Sequence, residues 1–271
     1  MSYKNRFPTS STTAWLTALS NVLTHGTPVA PRGKATRELL HHTTVTRLDS
    51  PLVAVPARKL STKFAAAEAR WMLAGDDRLE TLARYAPRLA ESSDDGIKLA
   101  GAYGPRIVAQ LDYVIEALCK DWSTRQAIIG IWTPNPAPSK DIPCTIALTF
   151  MIRDGRLHCH AFMRSSDVWL GLPYDIFSFS MIAIYVACRY NTRMMPGVEL
   201  GALHLTAASS HLYQENIEAS WLIIERAIIE PLTESPLLMI PAHLVLQADW
   251  ARIDAGLVVG VETGHLPWEV K

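Results

Sequence analysis

The segment from 143 to 190 constrains the fold of this chain most. Two runs rich in β-branched and apolar residues, 145–152 and 157–163, flank Arg153-Asp154-Gly155, and together they predict a β-hairpin closed by a tight turn. A bend-forming Gly-Leu-Pro follows, and the apolar run 174–190 then predicts a long buried helix. Strands and a buried helix in such close succession predict a sheet that packs against helices.

The rest of the chain continues this mixture of elements. Apolar residues at helical spacing predict further helices at 10–23, 62–73, 107–119 and 211–228. β-Branched runs predict strands at 43–48, 126–132 and 200–208. Pro, Gly and Ser content predicts loops at 26–34, 91–104 and 133–143. Because the 271 residues contain no linker or repeat, we expect one α/β (α+β) domain over 1–271.

Composition excludes several classes of protein. With 26 basic and 26 acidic residues the formal net charge is zero, which argues against binding to a nucleic acid polymer or an acidic membrane. No apolar stretch reaches the roughly 20 residues of a membrane span, and no apolar core follows the charged N-terminus as in a secretory signal. The four cysteines form no CxxC pair, so neither a disulfide framework nor a metal site is indicated. We expect a cytoplasmic protein, in the host cytoplasm if the source is a virus.

Cys144 is the candidate nucleophile. It follows Pro143 at a predicted loop-to-strand boundary, where a side chain can be partly exposed, and neighbouring arginines would favour the reactive thiolate. A free cysteine is more commonly a small buried apolar residue, and on position alone that alternative stays open.

An arginine and two acids follow the hairpin. Arg164-Ser165-Ser166-Asp167 offers a guanidinium fork and hydroxyl groups that suit a phosphate, although a salt bridge and a turn at a strand end would use the same residues. Asp175 lies near the start of the long helix, where capping alone accounts for an acid.

Four further positions are candidates by residue type. Arg32, in a Pro/Gly loop, is either an anion contact or a solvated arginine. Glu68 lies on an Ala-rich helix face, where a carboxylate is costly to bury unless it is paired or serves as an acid or base. His211 and Tyr213 place an imidazole and a phenol near a predicted helix start, either for binding or for capping and packing.

Taken in order, these positions resemble the thymidylate synthase family, including its pyrimidine nucleotide hydroxymethylase branch. The resemblance extends to about residue 228 and rests on Gly26-Thr-Pro with Arg32, Glu68 with Trp71-Met-Leu-Ala-Gly-Asp76, Tyr103-Gly104, Thr124-Arg125 to Trp132, Pro143-Cys144, Arg164-Ser-Ser-Asp to Leu-Pro-Tyr-Asp175, and His211-Leu-Tyr213. It implies a central mixed sheet flanked by helices and a homodimer formed by sheet-on-sheet packing.

The resemblance also implies a folate-dependent transfer of one carbon to a pyrimidine nucleoside monophosphate. In that chemistry a thiolate, here Cys144, adds to carbon 6 of the base, and carbon 5 then attacks the methylene of methylene-tetrahydrofolate. The implied roles are phosphate binding by Arg32, Arg164 and Ser165 with Arg125 of the second subunit, sugar binding by His211 and Tyr213, proton transfer through water by Glu68, and folate contact by Asp167, Tyr103 and Gly171. The arginines would also lower the pKa of the thiol.

Asp175 is the discriminating position within this resemblance. Thymidylate synthases have Pro-Phe-Asn where this chain has Pro173-Tyr174-Asp175. A carboxyl group accepts from the amino group of cytosine and, when it carries a proton, also serves ring nitrogen 3, whereas a uracil carbonyl would face an anion. Thr145, in place of the family's usual His, points the same way. We therefore expect a cytidylate substrate.

Departures from the family pattern bear on the product. The Trp-rich loop expected between Gly75 and Tyr103 is absent, and in the family that region shields the exocyclic methylene intermediate. A more open or polar wall admits water and yields a hydroxymethyl group. Gln126 stands where the family has a second arginine, so we expect a weaker phosphate clamp across subunits. Trp268 is available to close the site.

The sequence thus predicts a deoxycytidylate 5-hydroxymethylase with Cys144, Glu68 and Asp175 as catalytic residues. Three alternatives stay open. They are a methyl-forming enzyme acting on dUMP or dCMP, a CMP or dUMP hydroxymethylase, and a non-catalytic nucleotide-binding protein.

Overall fold

The structure, a computed structural model, describes residues 8–229 and 239–267, so the predicted closing residue Trp268 lies outside the described part. Its helices are α1 (Ser11–His25), α2 (Thr62–Leu73), α3 (Leu79–Ala83), α4 (Gly104–Lys120), α5 (Leu172–Asn191), α6 (Ile217–Ile229), α7 (Ala242–Leu246) and α8 (Trp250–Thr263). Its strands are β1 (Thr27–Val29), β2 (Thr36–Arg47), β3 (Ile128–Gly130), β4 (Thr145–Arg153), β5 (Arg156–Asp167) and β6 (Glu199–Tyr213).

The six strands form one mixed sheet in the order β1-β2-β6-β5-β4-β3. The predicted hairpin is confirmed as β4 and β5, whose turn places Asp154 and Gly155 at positive φ of 51° and 70°. Only β5 and β6 run parallel, and the other neighbouring pairs are antiparallel. A mixed sheet flanked by helices confirms the predicted fold class.

Helix α5 is the centre of the core. It begins after Gly171 with Pro173 in its first turn, a position where proline costs no hydrogen bond. Almost every residue from 176 to 188 is buried, because the helix is apolar around its whole circumference. It packs against β5 and β6 of the sheet and against α2 and α4, and α1 lies mainly against strand β2. Across the described ranges, no helix has both the length and the apolar character needed to cross a bilayer.

Helix α8 packs against α2. Arg70 Nε on α2 lies 3.0 Å from Asp254 Oδ1 on α8. Gly260 brings the two backbones close, since a Cβ at that position would lie 3.2 Å from the Cβ of Ala66. The helix that carries Glu68 is therefore held on both sides.

Several predicted boundaries are wrong. Strand β2 begins at Thr36 and not at 43, and the loop predicted at 26–34 contains β1. The boundary that matters most for the site lies at residue 211. The helix predicted at 211–228 begins at Ile217, and His211 and Tyr213 instead end strand β6. Pairing explains the difference, because β6 is hydrogen-bonded on both sides up to its last residues, with Asp167 opposite His211 and Thr36 opposite Tyr213. Two-sided pairing outweighs the local pattern.

Candidate active site

The topology brings the ends of four strands to one edge of the sheet. Since β5 and β6 are parallel, their C-terminal ends lie side by side, with Ser165 opposite Ser209 and Asp167 opposite His211. Strand β4 runs antiparallel to β5, so its first residue follows Cys144 at the same edge. The backbone N–H of Arg164 donates to the carbonyl of Cys144 at 2.8 Å, which fixes the predicted nucleophile to the end of β5.

The loop that holds Arg32 reaches this edge as well. Strand β2 is antiparallel to β6, so the turn before it approaches the end of β6, where Thr36 pairs with Tyr213. Arg32 is exposed in this turn with φ of 54°, and the ammonium of Lys34 lies 5.9 Å from the centre of the Tyr213 ring. Arg32 and Lys34 therefore place two positive charges next to this edge, on the side of β2.

Arg164 forms hydrogen bonds with the loop that precedes the nucleophile. Its Nε donates to Pro143 O and its Nη2 to Ile142 O, both at 2.9 Å. These bonds fix the backbone that precedes Cys144, and they use two of the five guanidinium N–H groups.

The arginines lower the pKa of the Cys144 thiol as predicted, but burial outweighs them in this chain by itself. Cys144 is partly buried, and burial raises the pKa of its thiol above the usual value. The charges of Arg164 and Arg32 oppose this rise, while the nearby carboxyls of Asp175 and Asp141 add to it. Thiolate formation therefore requires further positive charge or a base at the site.

Two acids face each other across the site from different helices. Asp175 lies in the first turn of α5 and Glu68 in the middle of α2, and both keep some accessible surface although protein surrounds them. Burial raises the pKa of Glu68 to about 7, against a hydrogen bond from Ser178 Oγ to its Oε2 at 3.2 Å. Burial, followed by the charges of Glu68 and Asp167, raises the pKa of Asp175 well above its usual range. This environment favours the protonated form of the Asp175 carboxyl over the ionised form.

Glu68→Gln is expected to make stability less sensitive to pH. The pKa of Glu68 rises from the usual 4.5 to about 7 on folding, so the wild type loses stability as the pH rises through this window. The variant lacks that loss. The difference in free energy of unfolding, variant minus wild type, should therefore rise by about 3 kcal/mol between pH 4 and pH 8. Urea unfolding at both pH values measures it, with the exposed Glu80→Gln as control. If the difference in free energy of unfolding between variant and wild type does not change with pH, the raised pKa of Glu68 is contradicted.

Tyr103 joins the wall of the site to the nucleophile. Its hydroxyl accepts the backbone N–H of Thr145, the residue after Cys144, at 3.2 Å, and its ring stacks on Phe179 with centroids 6.3 Å apart. Burial, with the neighbouring negative charges of Asp175 and Cys144, raises the pKa of its phenol. Tyr103 therefore stays neutral, as a hydrogen-bonding group next to the thiol.

Asp167 builds the connection between β5 and α5. Its Oδ1 accepts the N–H groups of Trp169 and Leu170 at 2.8 and 3.0 Å, and its carbonyl accepts that of Gly171 at 3.0 Å. A Cβ on Gly171 would lie 3.4 Å from Asp175 Oδ2, so glycine leaves the backbone surface beside that carboxyl open. Nearby, Ser165 Oγ and His211 Nδ1 are 3.3 Å apart.

A family comparison agrees with this geometry. The thymidylate synthase family model matches residues 13–243. The chain belongs to the thymidylate synthase family. It is accordingly a folate-dependent one-carbon transferase of pyrimidine nucleotides, and methylene-tetrahydrofolate is its one-carbon donor. Helix α8 lies beyond the matched residues.

One predicted residue of this thymidylate synthase family member does not reach the site of its own chain. Arg125 is exposed in the turn between α4 and β3, next to Ala127, whose carbonyl accepts from Phe150 in β4. Phe150 lies six positions after Cys144 along the strand, which corresponds to about 20 Å. The edge that holds Cys144 is thus distant from Arg125 in the same chain.

Two further residues of the site escaped the sequence reasoning. Ser178, the hydrogen-bond donor to Glu68, lies three residues after Asp175, a spacing that places both on one face of α5. Tyr174, the second difference from Pro-Phe-Asn, accepts the N–H of Ser61 at 3.0 Å through its hydroxyl. Ser61 caps α2, so Tyr174 ties the helix of Glu68 to the helix of Asp175.

Proposed function

We propose that this member of the family is a deoxycytidylate 5-hydroxymethylase. The observation that carries the proposal is the environment of Asp175 at the start of α5, where burial raises the pKa of the carboxyl and so favours its protonated form. A protonated carboxyl has one donor and one acceptor, and it matches ring nitrogen 3 and the 4-amino group of cytosine.

The proton also has a catalytic use that favours cytosine. When the thiolate of Cys144 adds to carbon 6, electrons move through the ring of cytosine onto nitrogen 3. A proton donor at that nitrogen stabilises the developing charge. In uracil, nitrogen 3 already carries hydrogen and the charge moves to the 4-oxygen instead. Asp175 would thus stabilise the addition step for cytidylate.

Glu68 would move the protons that this cycle requires. A carboxyl with a pKa of about 7 can both accept and donate a proton at neutral pH, and Ser178 holds it in place. In the proposed cycle Glu68 acts through water when carbon 5 loses its hydrogen. Arg32, Arg164 and Ser165 would bind the phosphate, and His211 and Tyr213 the sugar, because all five lie at the same edge of the sheet.

The folate would lie against the turn after β5. Asp167 is a recessed acceptor there, Gly171 presents open backbone, and Tyr103 supplies an aromatic wall. A planar pterin with N–H groups fits such a set of acceptors and flat surfaces. When bound, methylene-tetrahydrofolate supplies the one-carbon unit.

The polar wall between 92 and 101 supports hydroxymethyl formation. This segment turns on Asp95, whose Oδ1 accepts the N–H groups of Ile97 and Lys98 at 2.8 and 2.9 Å. Asp94 then binds Ser139 Oγ and the N–H of Lys140 in the loop before Cys144. Hydrogen-bonded polar groups occupy the segment in which the family pattern has an aromatic shield, and such a wall would admit water to the site.

The outer face of the sheet supports a homodimer. Ile128, Ile146 and Phe162 expose 41%, 42% and 39% of their surface on the three strands β3, β4 and β5. Thr43 Oγ1 and Thr206 Oγ1 pair across β2 and β6 at 3.0 Å on the same face. Packing of two such faces would bury the apolar side chains and bring Arg125 of one subunit towards the other subunit's site.

Incubation with methylene-tetrahydrofolate and equimolar dCMP, CMP and dUMP tests the proposal, with products identified by mass spectrometry. We expect a hydroxymethyl group on dCMP alone and no dihydrofolate absorbance. A methyl product would contradict the role given to water. Preferential conversion of dUMP would contradict the role given to Asp175, and the absence of any product would favour a nucleotide-binding protein.

A further inference from the structure

We propose that Asp141 is the general base that accepts a proton from the water attacking the exocyclic methylene. This inference rests on the proposed hydroxymethylation. Asp141 lies three residues before Cys144, in the loop that Arg164 fixes through the carbonyls of the two intervening residues. The backbone of Asp141 is therefore fixed relative to Cys144 and to the pyrimidine that would bind beside it.

Gly101 holds the carboxylate of Asp141 in a defined position. Its Oδ2 accepts the N–H of Gly101 at 2.7 Å. A Cβ on Gly101 would lie 2.8 Å from Asp141 Oδ1, so any larger residue at 101 would displace the carboxylate. Arg106 binds the carbonyls of Ala100 and Ala102 on either side of this glycine, which holds the segment in place.

One oxygen of this carboxylate remains available for water. No hydrogen bond reaches Oδ1 from any residue within 8–229 or 239–267. Asp141 is also close enough to Cys144 for its negative charge to raise the pKa of the thiol. Burial raises the pKa of Asp141 itself, which makes the ionised form a better proton acceptor. The carboxylate thus combines access to water with proximity to the pyrimidine that Cys144 would attack.

The proposed step balances without an oxidant or reductant. A lone pair of water forms the C–O bond to the methylene carbon, and Asp141 takes one proton of that water. The π electrons of the exocyclic double bond move into the ring towards nitrogen 3. They then restore the 5,6 double bond as the bond between carbon 6 and sulfur breaks, which releases Cys144 as thiolate. The net change is the addition of water.

Asp141→Asn separates this step from the earlier chemistry. The amide retains an acceptor for Gly101 but is not a base. With dCMP tritiated at carbon 5, tritium release reports the steps before water attacks, whereas 5-hydroxymethyl-dCMP reports the water step. In a single turnover we expect tritium release within about threefold of wild type and hydroxymethyl formation roughly 10²-fold slower. Added 2-mercaptoethanol should give a thioether in the variant, because a thiolate needs no base.

The matched control is Asp112→Asn, which removes the charge of an exposed acid on α4. It should leave the ratio of the two readouts unchanged. An unchanged rate of hydroxymethyl formation in Asp141→Asn, or an equal fall in both readouts, would overturn the inference. If the wild type forms no hydroxymethyl product, the proposed function fails first, and the inference fails with it.

Discussion

Cys144→Ser is expected to lower turnover by at least about 10⁴-fold, as replacement of a covalent nucleophile does elsewhere. An alcohol is far less acidic than a thiol, so serine at this position presents almost no anion to carbon 6. Nucleotide binding should survive, because Arg164 contacts backbone carbonyls rather than the thiol. Tritium release from carbon 5 of dCMP measures the loss, and equilibrium binding of dCMP measures what is retained.

Cys119→Ser is the matched control for this experiment. Cys119 is a second partly buried free thiol, near the end of α4 and away from the edge of the sheet. Its replacement should change the rate by no more than about twofold. Activity in Cys144→Ser above about 1% of wild type would place the nucleophile elsewhere.

Asp175→Asn is expected to reverse the preference between the two bases. The amide has no proton to give nitrogen 3 when the thiolate adds to cytosine, whereas it pairs with N–H and the 4-oxygen of uracil. Buried polar groups left mispaired discriminate by several orders of magnitude. The ratio of kcat/KM for dCMP over dUMP should fall by roughly 10³-fold or more, as measured by tritium release from each nucleotide.

Tyr174→Phe tests whether the neighbouring difference contributes to this preference. The variant removes the hydroxyl that accepts from Ser61 but keeps the ring, which packs edge-on against Phe64 at 4.8 Å. We expect the preference for dCMP to persist and the free energy of unfolding to fall by about 1 kcal/mol. If Tyr174→Phe changes the base preference as much as Asp175→Asn does, the specificity belongs to the helix–helix contact and not to the proton.

Elements whose signals are local could be predicted from the amino-acid sequence. The β4–β5 hairpin follows from two runs of β-branched and apolar residues around a tight turn, and α5 follows from the largely apolar run after Gly-Leu-Pro. The position of Cys144 just before a strand and that of Asp175 in the first turn of a helix follow from the same patterns. Each of these features depends on residues within a few positions of one another.

Tertiary structure decided the features that depend on distant residues. His211 belongs to a strand and not to a helix because β2 and β5 pair with it from both sides. One parallel pair between antiparallel neighbours puts Cys144, Arg164, His211 and the Arg32 turn at one edge. The pKa of Asp175 is raised because α2 brings Glu68 towards α5 and excludes water. Strand pairing and desolvation are set by neighbours in space, and no local pattern in the chain specifies them.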